Sequence, residues 1–201
     1  MNNNHVPVML EEVMSFIPNN KKINLIDATF GGGGYTKAIL KEFKIKNLIA
    51  IDRDPISKIF FEELNKDFDN LELFNEKFSK IDELLQNSKY IKERFDVVIF
   101  DLGVSSNQID NPQRGFSFQK NGPLDMKMGS SNLDAFKVVN SFDEKKLADI
   151  FFKFGEEKFS RRIAKNIVIN RSKKSIENTL ELSKIIKKSV PFFNNSKKIH
   201  P

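Results

Sequence analysis

Four consecutive glycines, Gly31 to Gly34, follow the apolar run Ile23 to Ala28 and lead into a helical stretch, Tyr35 to Phe43. Glycines at such a bend let backbone come close to a ligand, and the helix starting there offers free N–H groups and the positive end of a dipole. Asp52 closes the next β-like run, about 20 positions beyond the glycines, where an acidic side chain can accept hydrogen bonds from ribose hydroxyls. Strand, bend, helix and distal carboxylate together describe a site for an adenosine-type cofactor. A dinucleotide site asks for G-x-G-x-x-G, but counted from Gly31 the last glycine position holds Thr36. The acid-x-x-x-glycine spacing of Asp27 and Gly31 favours S-adenosylmethionine over NAD. A glycine-rich turn taken alone has the ordinary reading of a tight turn.

A second constellation is the buried run Phe95 to Phe100 that delivers Asp101 and then the turn Leu-Gly-Val-Ser-Ser106. Polar groups at the carboxyl ends of strands in an open α/β sheet point into the ligand crevice, so Asp101 is the first choice for chemistry. The competing reading is a turn carboxylate that caps backbone. A third group lies in the segment that follows: Gln108, Arg114-Gly-Phe116-Ser-Phe118 and Gly122-Pro-Leu-Asp125-Met. Aromatics beside arginine and glycine can stack on an unpaired base, as in many single-stranded RNA sites. The same phenylalanines can equally plug the loop onto the core.

Short β-like runs alternate with helical patterns over the first hundred residues, which argues for βαβ units around a parallel sheet. Strands are expected at Ile23 to Ala28, Asn47 to Asp52, Leu71 to Asn75 and Phe95 to Asp101, after an N-terminal helix around Met9 to Ile17. Helices are expected near Tyr35 to Phe43, at Pro55 to Lys66 with proline in the first turn, and at Lys80 to Gln86. Leu102 to Asn132 reads as a loop of about 30 residues, a length more often functional than idle. From Leu133 onward the period is helical, with Phe159, Ile163 and Ile167 as a core stripe and Arg161, Arg162 and Lys165 off it. A last helix is expected from Asn178, an N-cap with Glu181 at the third helical position, to Ser189 before Pro191.

Of the 201 residues 39% are hydrophobic and 30% charged, which places the chain in the globular class. No apolar run approaches the roughly 18 residues of a membrane span, and the amino terminus lacks the basic and apolar regions of a signal peptide, so a cytoplasmic location is expected. The absence of cysteine removes disulfides and thiolate chemistry, and two histidines make a metal site unexpected. The net charge of +6 is segregated: residues 151–201 carry 13 Lys and Arg against 4 Asp and Glu. Such a segment suits a polyanion, and a solvated helical face is the plainer alternative.

At this point the residues resemble the RsmH (MraW) family of 16S ribosomal RNA cytosine N4-methyltransferases. The likeness runs through His5-Val-Pro-Val-Met-Leu-Glu11-Glu12, Asp27-Ala-Thr-Phe-Gly31, Ala50-Ile-Asp52-Arg-Asp-Pro55, Asp101 to Ser106, Arg114 to Phe118, Gly122 to Met126 and Phe154 to Phe159, in order along nearly the whole chain. The resemblance implies an α/β, Rossmann-like class I methyltransferase domain (residues 1–103, about four strands of an incomplete sheet), then a loop and an inserted helical substrate-recognition domain (104–201). It implies cofactor contacts at Gly33, Gly34, Tyr35, Asp52, Phe78, Asp101 and Gln108. The family usually has Gly-Arg-Gly-Gly-His where this chain has Gly31-Gly-Gly-Gly-Tyr35. It also continues, through an Ala-Thr-Arg segment and further strands, beyond the point where this sequence stops. The resemblance thus implies a carboxy-terminally truncated sequence whose fourth strand is an exposed edge, a setting for instability or for association such as a homodimer.

The activity so implied is methylation of the N4 amine of a decoding-centre cytidine in 16S rRNA of the small ribosomal subunit, with S-adenosylmethionine as donor. Asp101 is expected to accept a hydrogen bond or proton from the amine, with Asp125 in reserve. Arg114, Phe116, Phe118, Arg161 and Arg162 are expected to bind substrate. The rivals are a small-molecule methyltransferase, a NAD-dependent reductase, and a catalytically inactive RNA-binding module around residues 133–201.

Overall fold

A computed structural model describes residues 7–191, and within them the contacts divide into two compact units. The first comprises residues up to Ser106 together with Met128–Ser130; the second comprises Asn107–Lys127 and the described residues from Ser131 onward.

The first unit is built on four parallel strands, β1 Ile23–Asp27, β2 Ile45–Ile51, β3 Leu71–Phe74 and β4 Val97–Ile99, ordered β3-β2-β1-β4. β1 and most of β2 are buried on both faces, which accounts for their largely apolar sequences, and the buried Asn24 of β1 donates from Nδ2 to the Arg94 carbonyl at 2.8 Å. The two-residue period sorts their side chains: Ile23, Leu25, Leu48 and Ala50 enter one core with Leu71 and Ile99, while Ile26, Ala28, Ile49 and Ile51 enter a second. The first core also takes residues of α1 Leu10–Ser15, α2 Gly34–Glu42 and α3 Ser57–Leu64, and α4 Ile81–Gln86 packs on the second. All four expected strands are present, and β4 is the shortest, three residues where seven were expected. α3 begins at Ser57, not Pro55, because the Asp54 carboxylate accepts from the Ile56 N–H at 3.2 Å and its carbonyl accepts from Ser57 Oγ at 2.7 Å. That turn uses Pro55 before the helix begins.

The second unit has a core of its own, Leu124, Val139, Leu147, Ala148, Ile163, Ala164, Ile167, Ile176 and Ile185. Its helices are α5 Ser106–Asp110, which begins at the junction, α6 Ala135–Ser141, α7 Glu144–Gly155, α8 Ser160–Arg171 and α9 Thr179–Ser189. Asp134, Asp143 and Asn178 each cap a helix by accepting from the backbone N–H three residues on. The expected loop of Leu102 to Asn132 is more ordered than its composition suggests: it holds α5 and a 3₁₀ turn, Pro112–Arg114. Its far arm is tied to α9 by Thr179, whose N–H donates to the Gly122 carbonyl at 3.0 Å and whose hydroxyl donates to the Lys120 carbonyl at 2.8 Å. Ile163 and Ile167 are buried on α8 as expected, and Phe159, at its N-cap, packs partly buried against the same core.

Candidate active site at the strand tips

Because every strand of the first unit is parallel, the carboxyl ends of β1, β2 and β4 open on the same edge of the sheet. The chain leaving β1 is held to both neighbours. Ala28 N–H donates to the Ile99 carbonyl at 2.9 Å, and Phe30 N–H to the Ile51 carbonyl at 3.1 Å. Gly31 N–H then donates to Asp52 Oδ2 at 2.6 Å, while Asp52 Oδ1 accepts from Asp54 N–H at 2.7 Å. On the other side, Asp101 N–H donates to Thr29 Oγ1 at 2.6 Å. The glycine bend is therefore fastened to Asp52 and to Asp101, each time by a backbone N–H donating to a side-chain oxygen.

The glycines differ in what they do. Gly33 has φ 74°, and a Cβ there would lie 2.8 Å from Phe30 Cζ and 3.2 Å from Leu64 Cδ1. Conformation and packing alone require a glycine here. A Cβ on Gly34 would meet Pro7 Cγ at 2.8 Å. Gly31 is the open one, with nothing closer than 3.8 Å to the Cβ position. Tyr35 turns its ring into the core, at 8% exposure, and donates its hydroxyl to the Val8 carbonyl. Burial pushes that hydroxyl's pKa up, helped by the carboxylates of Asp101 and Asp27. Any part Tyr35 takes in holding a ligand falls to its backbone.

Beneath the bend lies Asp27, 2% exposed, accepting from Thr36 Oγ1 at 2.7 Å and Thr29 N–H at 3.2 Å. Burial raises its pKa from 3.8 to about 6; those two donors oppose the rise, and Asp52 and Asp101 add to it. Asp52 is also pushed up, chiefly by burial, with the Asp54 and Gly31 N–H groups holding it down. Phe78 and Phe100 form an exposed pair, rings edge to face at 5.4 Å between centroids and 79° between planes. Thr29 and Phe100 were not among the expected site residues, and Asp27 and Thr36 entered the sequence reading only through their spacing from the glycines, with no contact assigned to either. The only hint of Phe100 in the sequence is its place next to Asp101 on an alternating strand.

The remaining expected residues lie in the second unit. Gln108 is buried on α5. Arg114 donates from Nη2 to the Lys127 carbonyl at 2.7 Å and lies 5.8 Å from the ring centroid of Phe116. It thereby joins the two arms of its loop. Phe118 is 47% exposed, and Arg161 and Arg162 are exposed on α8. Asp125 Oδ1 is buried and has no hydrogen bond among the described residues; Lys127 Nζ lies 3.3 Å away, within ion-pair distance but outside hydrogen-bond geometry.

The residues present fit an adenosine cofactor. A carboxylate offers about four lone-pair sites, so Asp52, after two backbone donors, keeps acceptor capacity for a ribose. The first turn of α2 begins beside it, at Gly34.

A half-sheet of this order, with polar groups gathered where the chain leaves its first strand, is the framework of the Rossmann-like class I methyltransferases. Comparison with known proteins agrees. A family model described as the MraW methylase family matches residues 2–201, and the chain belongs to that family. It is 49% identical over 189 residues to a ribosomal RNA small subunit methyltransferase H of Ehrlichia canis, covering 92% of this chain and 62% of that protein. A protein of the same name from Caldicellulosiruptor bescii is 46% identical over 93% of this chain and 61% of its own length. One from a Wolbachia of Drosophila simulans is 43% identical over 98% and 66%. The chain thus spans about 62% of the length of the first curated relatives it matches. No helix among the described residues is long and apolar enough to cross a membrane.

Proposed function

We propose that this chain acts as an S-adenosylmethionine-dependent methyltransferase on 16S rRNA of the small ribosomal subunit, at N4 of a decoding-centre (P-site) cytidine. The observation that carries the reading is the fastening of the glycine bend to Asp52 on one side and, through Thr29, to Asp101 on the other. The names of the relatives supply the substrate class.

S-adenosylmethionine, when bound, supplies an electrophilic methyl group on a sulfonium centre. Asp52 accepts from the ribose hydroxyls, and backbone at Gly31, Gly33, Gly34 and Tyr35 lines the approach to the helix N-terminus. Phe78 offers an exposed aromatic face to the adenine, and Gln108 is assigned to the same ligand. The amine of cytosine is a poor nucleophile because its lone pair is delocalised into the ring. Asp101 holds it by accepting an N–H and receives the proton that N4 loses; Asp125 is the reserve acceptor. Arg114, Phe116, Phe118, Arg161 and Arg162 hold RNA, by stacking and by phosphate contact. The expected division at residues 103 and 104, the cytoplasmic location and a homodimer belong to the same proposal.

Calorimetric titration of the chain with adenosylhomocysteine and with NADH, followed by methyl transfer to small-subunit RNA, tests it. Binding of adenosylhomocysteine alone and methylation at a cytosine N4 are expected. A preference for NADH, or methyl transfer to another position, overturns it. RNA affinity without any cofactor affinity favours the module reading, which the separate core of the second unit supports.

A further inference from the structure

α8 and α9 enclose an open groove of about 480 Å³ lined by Asn166, Asn170, Glu181, Lys184, Ile185 and Lys188. Its polar groups are oriented by their neighbours. Ser189 Oγ donates to the Ile185 carbonyl at 2.7 Å, so toward Asn166 it can only accept, and Asn166 Nδ2 donates to it at 2.8 Å. Asn170 Nδ2 donates to the Asn166 carbonyl at 2.7 Å. Both amide orientations follow from these partners. Each asparagine is left with Oδ1 as an acceptor that has no partner among the described residues.

Lys184 and Lys188 stand one turn apart on α9, exposed, and neither forms an ion pair among the described residues. Arg162, one turn before Asn166 on α8, is exposed and equally unpaired. Glu181 is the single acidic lining residue, against two lysines, and one of its oxygens accepts the Glu177 N–H at 3.1 Å at the start of α9. The groove therefore presents paired cations beside fixed acceptors.

We propose that this groove grips the sugar-phosphate backbone of an RNA strand. Lys184 and Lys188 meet neighbouring phosphates, and Asn166 and Asn170 accept hydrogen bonds from ribose 2′-hydroxyls. The inference rests on the reading of RNA as substrate and adds where and how the strand is held. An acidic peptide would satisfy the lysines but set carboxylate oxygens against the asparagine acceptors. The deoxyribose-phosphate backbone of DNA would satisfy the lysines but lacks the 2′-hydroxyl donor those acceptors would meet.

The test is fluorescence anisotropy of the 201-residue chain with an unstructured RNA oligonucleotide and the DNA of the same sequence, over a range of KCl. RNA is expected to bind more tightly. The double variant Lys184→Ala/Lys188→Ala weakens RNA binding on the order of tenfold and makes the salt dependence shallower by about 1.4 in log–log slope, 0.7 for each single-strand phosphate contact. Asn170→Ala brings the RNA and DNA affinities together without changing the slope. Lys66→Ala/Lys92→Ala, an equal loss of charge in the first unit, leaves RNA binding within a factor of two or so of the unmodified chain.

All these side chains are exposed, so thermal melts should be unchanged. Equal affinity for RNA and DNA, an RNA affinity indifferent to Lys184 and Lys188, or displacement of RNA by polyglutamate at matched charge overturns the proposal. Adenosylhomocysteine titration in parallel separates the two readings. Cofactor binding that fails while the groove behaves as stated sinks the methyltransferase and spares the groove; the reverse pattern does the opposite.

Discussion

Asp52 receives the N–H of Gly31 across the gap between β1 and β2 at 2.6 Å, so the bend after the first strand is held by the carboxylate that ends the second. Its other oxygen takes the Asp54 N–H. Replacing Asp52 with Asn points an amide donor at one of two backbone donors, and leaving one such group unsatisfied costs about 1 to 3 kcal/mol. Adenosylhomocysteine affinity measured by calorimetry is expected to fall roughly 10- to 100-fold in Asp52→Asn, with a lowered melting temperature.

Asp101 is exposed, and its backbone, not its side chain, is what Thr29 engages. The carboxylate is thus free to serve a substrate. Single-turnover methylation at saturating cofactor is expected to slow by about 10² to 10⁴ in Asp101→Ala, the usual worth of a proton acceptor, while the melting temperature stays put. Rates near that of the unmodified chain remove Asp101 from the chemistry.

Asp27 gives the fold a pH dependence of known sign. Its pKa rises from 3.8 to about 6 on folding, so the folded state favours the protonated acid. The stabilisation is complete below pH 3.8 and is lost as pH climbs through about 6, a change on the order of 3 kcal/mol at 1.36 kcal/mol per unit. The melting temperature of Asp27→Asn minus that of the unmodified chain should rise across this window. A difference that is flat with pH contradicts the buried-acid account.

Gly33→Ala tests the bend without touching any charge. The substitution places a side chain at φ 74° and 2.8 Å from the Phe30 ring, at a cost of roughly 1 to 3 kcal/mol. Gly155→Ala, at the end of α7 with no atom within 4 Å of its Cβ position, should be neutral or stabilising by up to about 1 kcal/mol. Thermal unfolding of the two side by side distinguishes strain from a general effect of added bulk.

Much of the first unit was legible because buried parallel strands are mostly apolar, without a break at Leu48 to Ile51 and interrupted only by Asn24 between Ile23 and Ile26. Asn178 was legible because a cap is local chemistry: its side chain accepts from Glu181 N–H as the spacing required. What the sequence hid depends on partners distant in the chain. β4 shrinks to three residues because only those pair with β1. α5 is too short to show a period, and Thr29 gains its importance from Asp101, 72 positions away. That Phe30 and Leu64 leave no room for a side chain at Gly33 was equally hidden, since only the fold brings them there.

Among the described residues the strand that delivers Asp101 pairs along one side only, with β1 and through three residues, while Val98 and Phe100 are exposed. Protection against local opening grows with neighbours on both sides. Deuterium uptake at Val97 to Ile99 should therefore outpace that of β1 and β2.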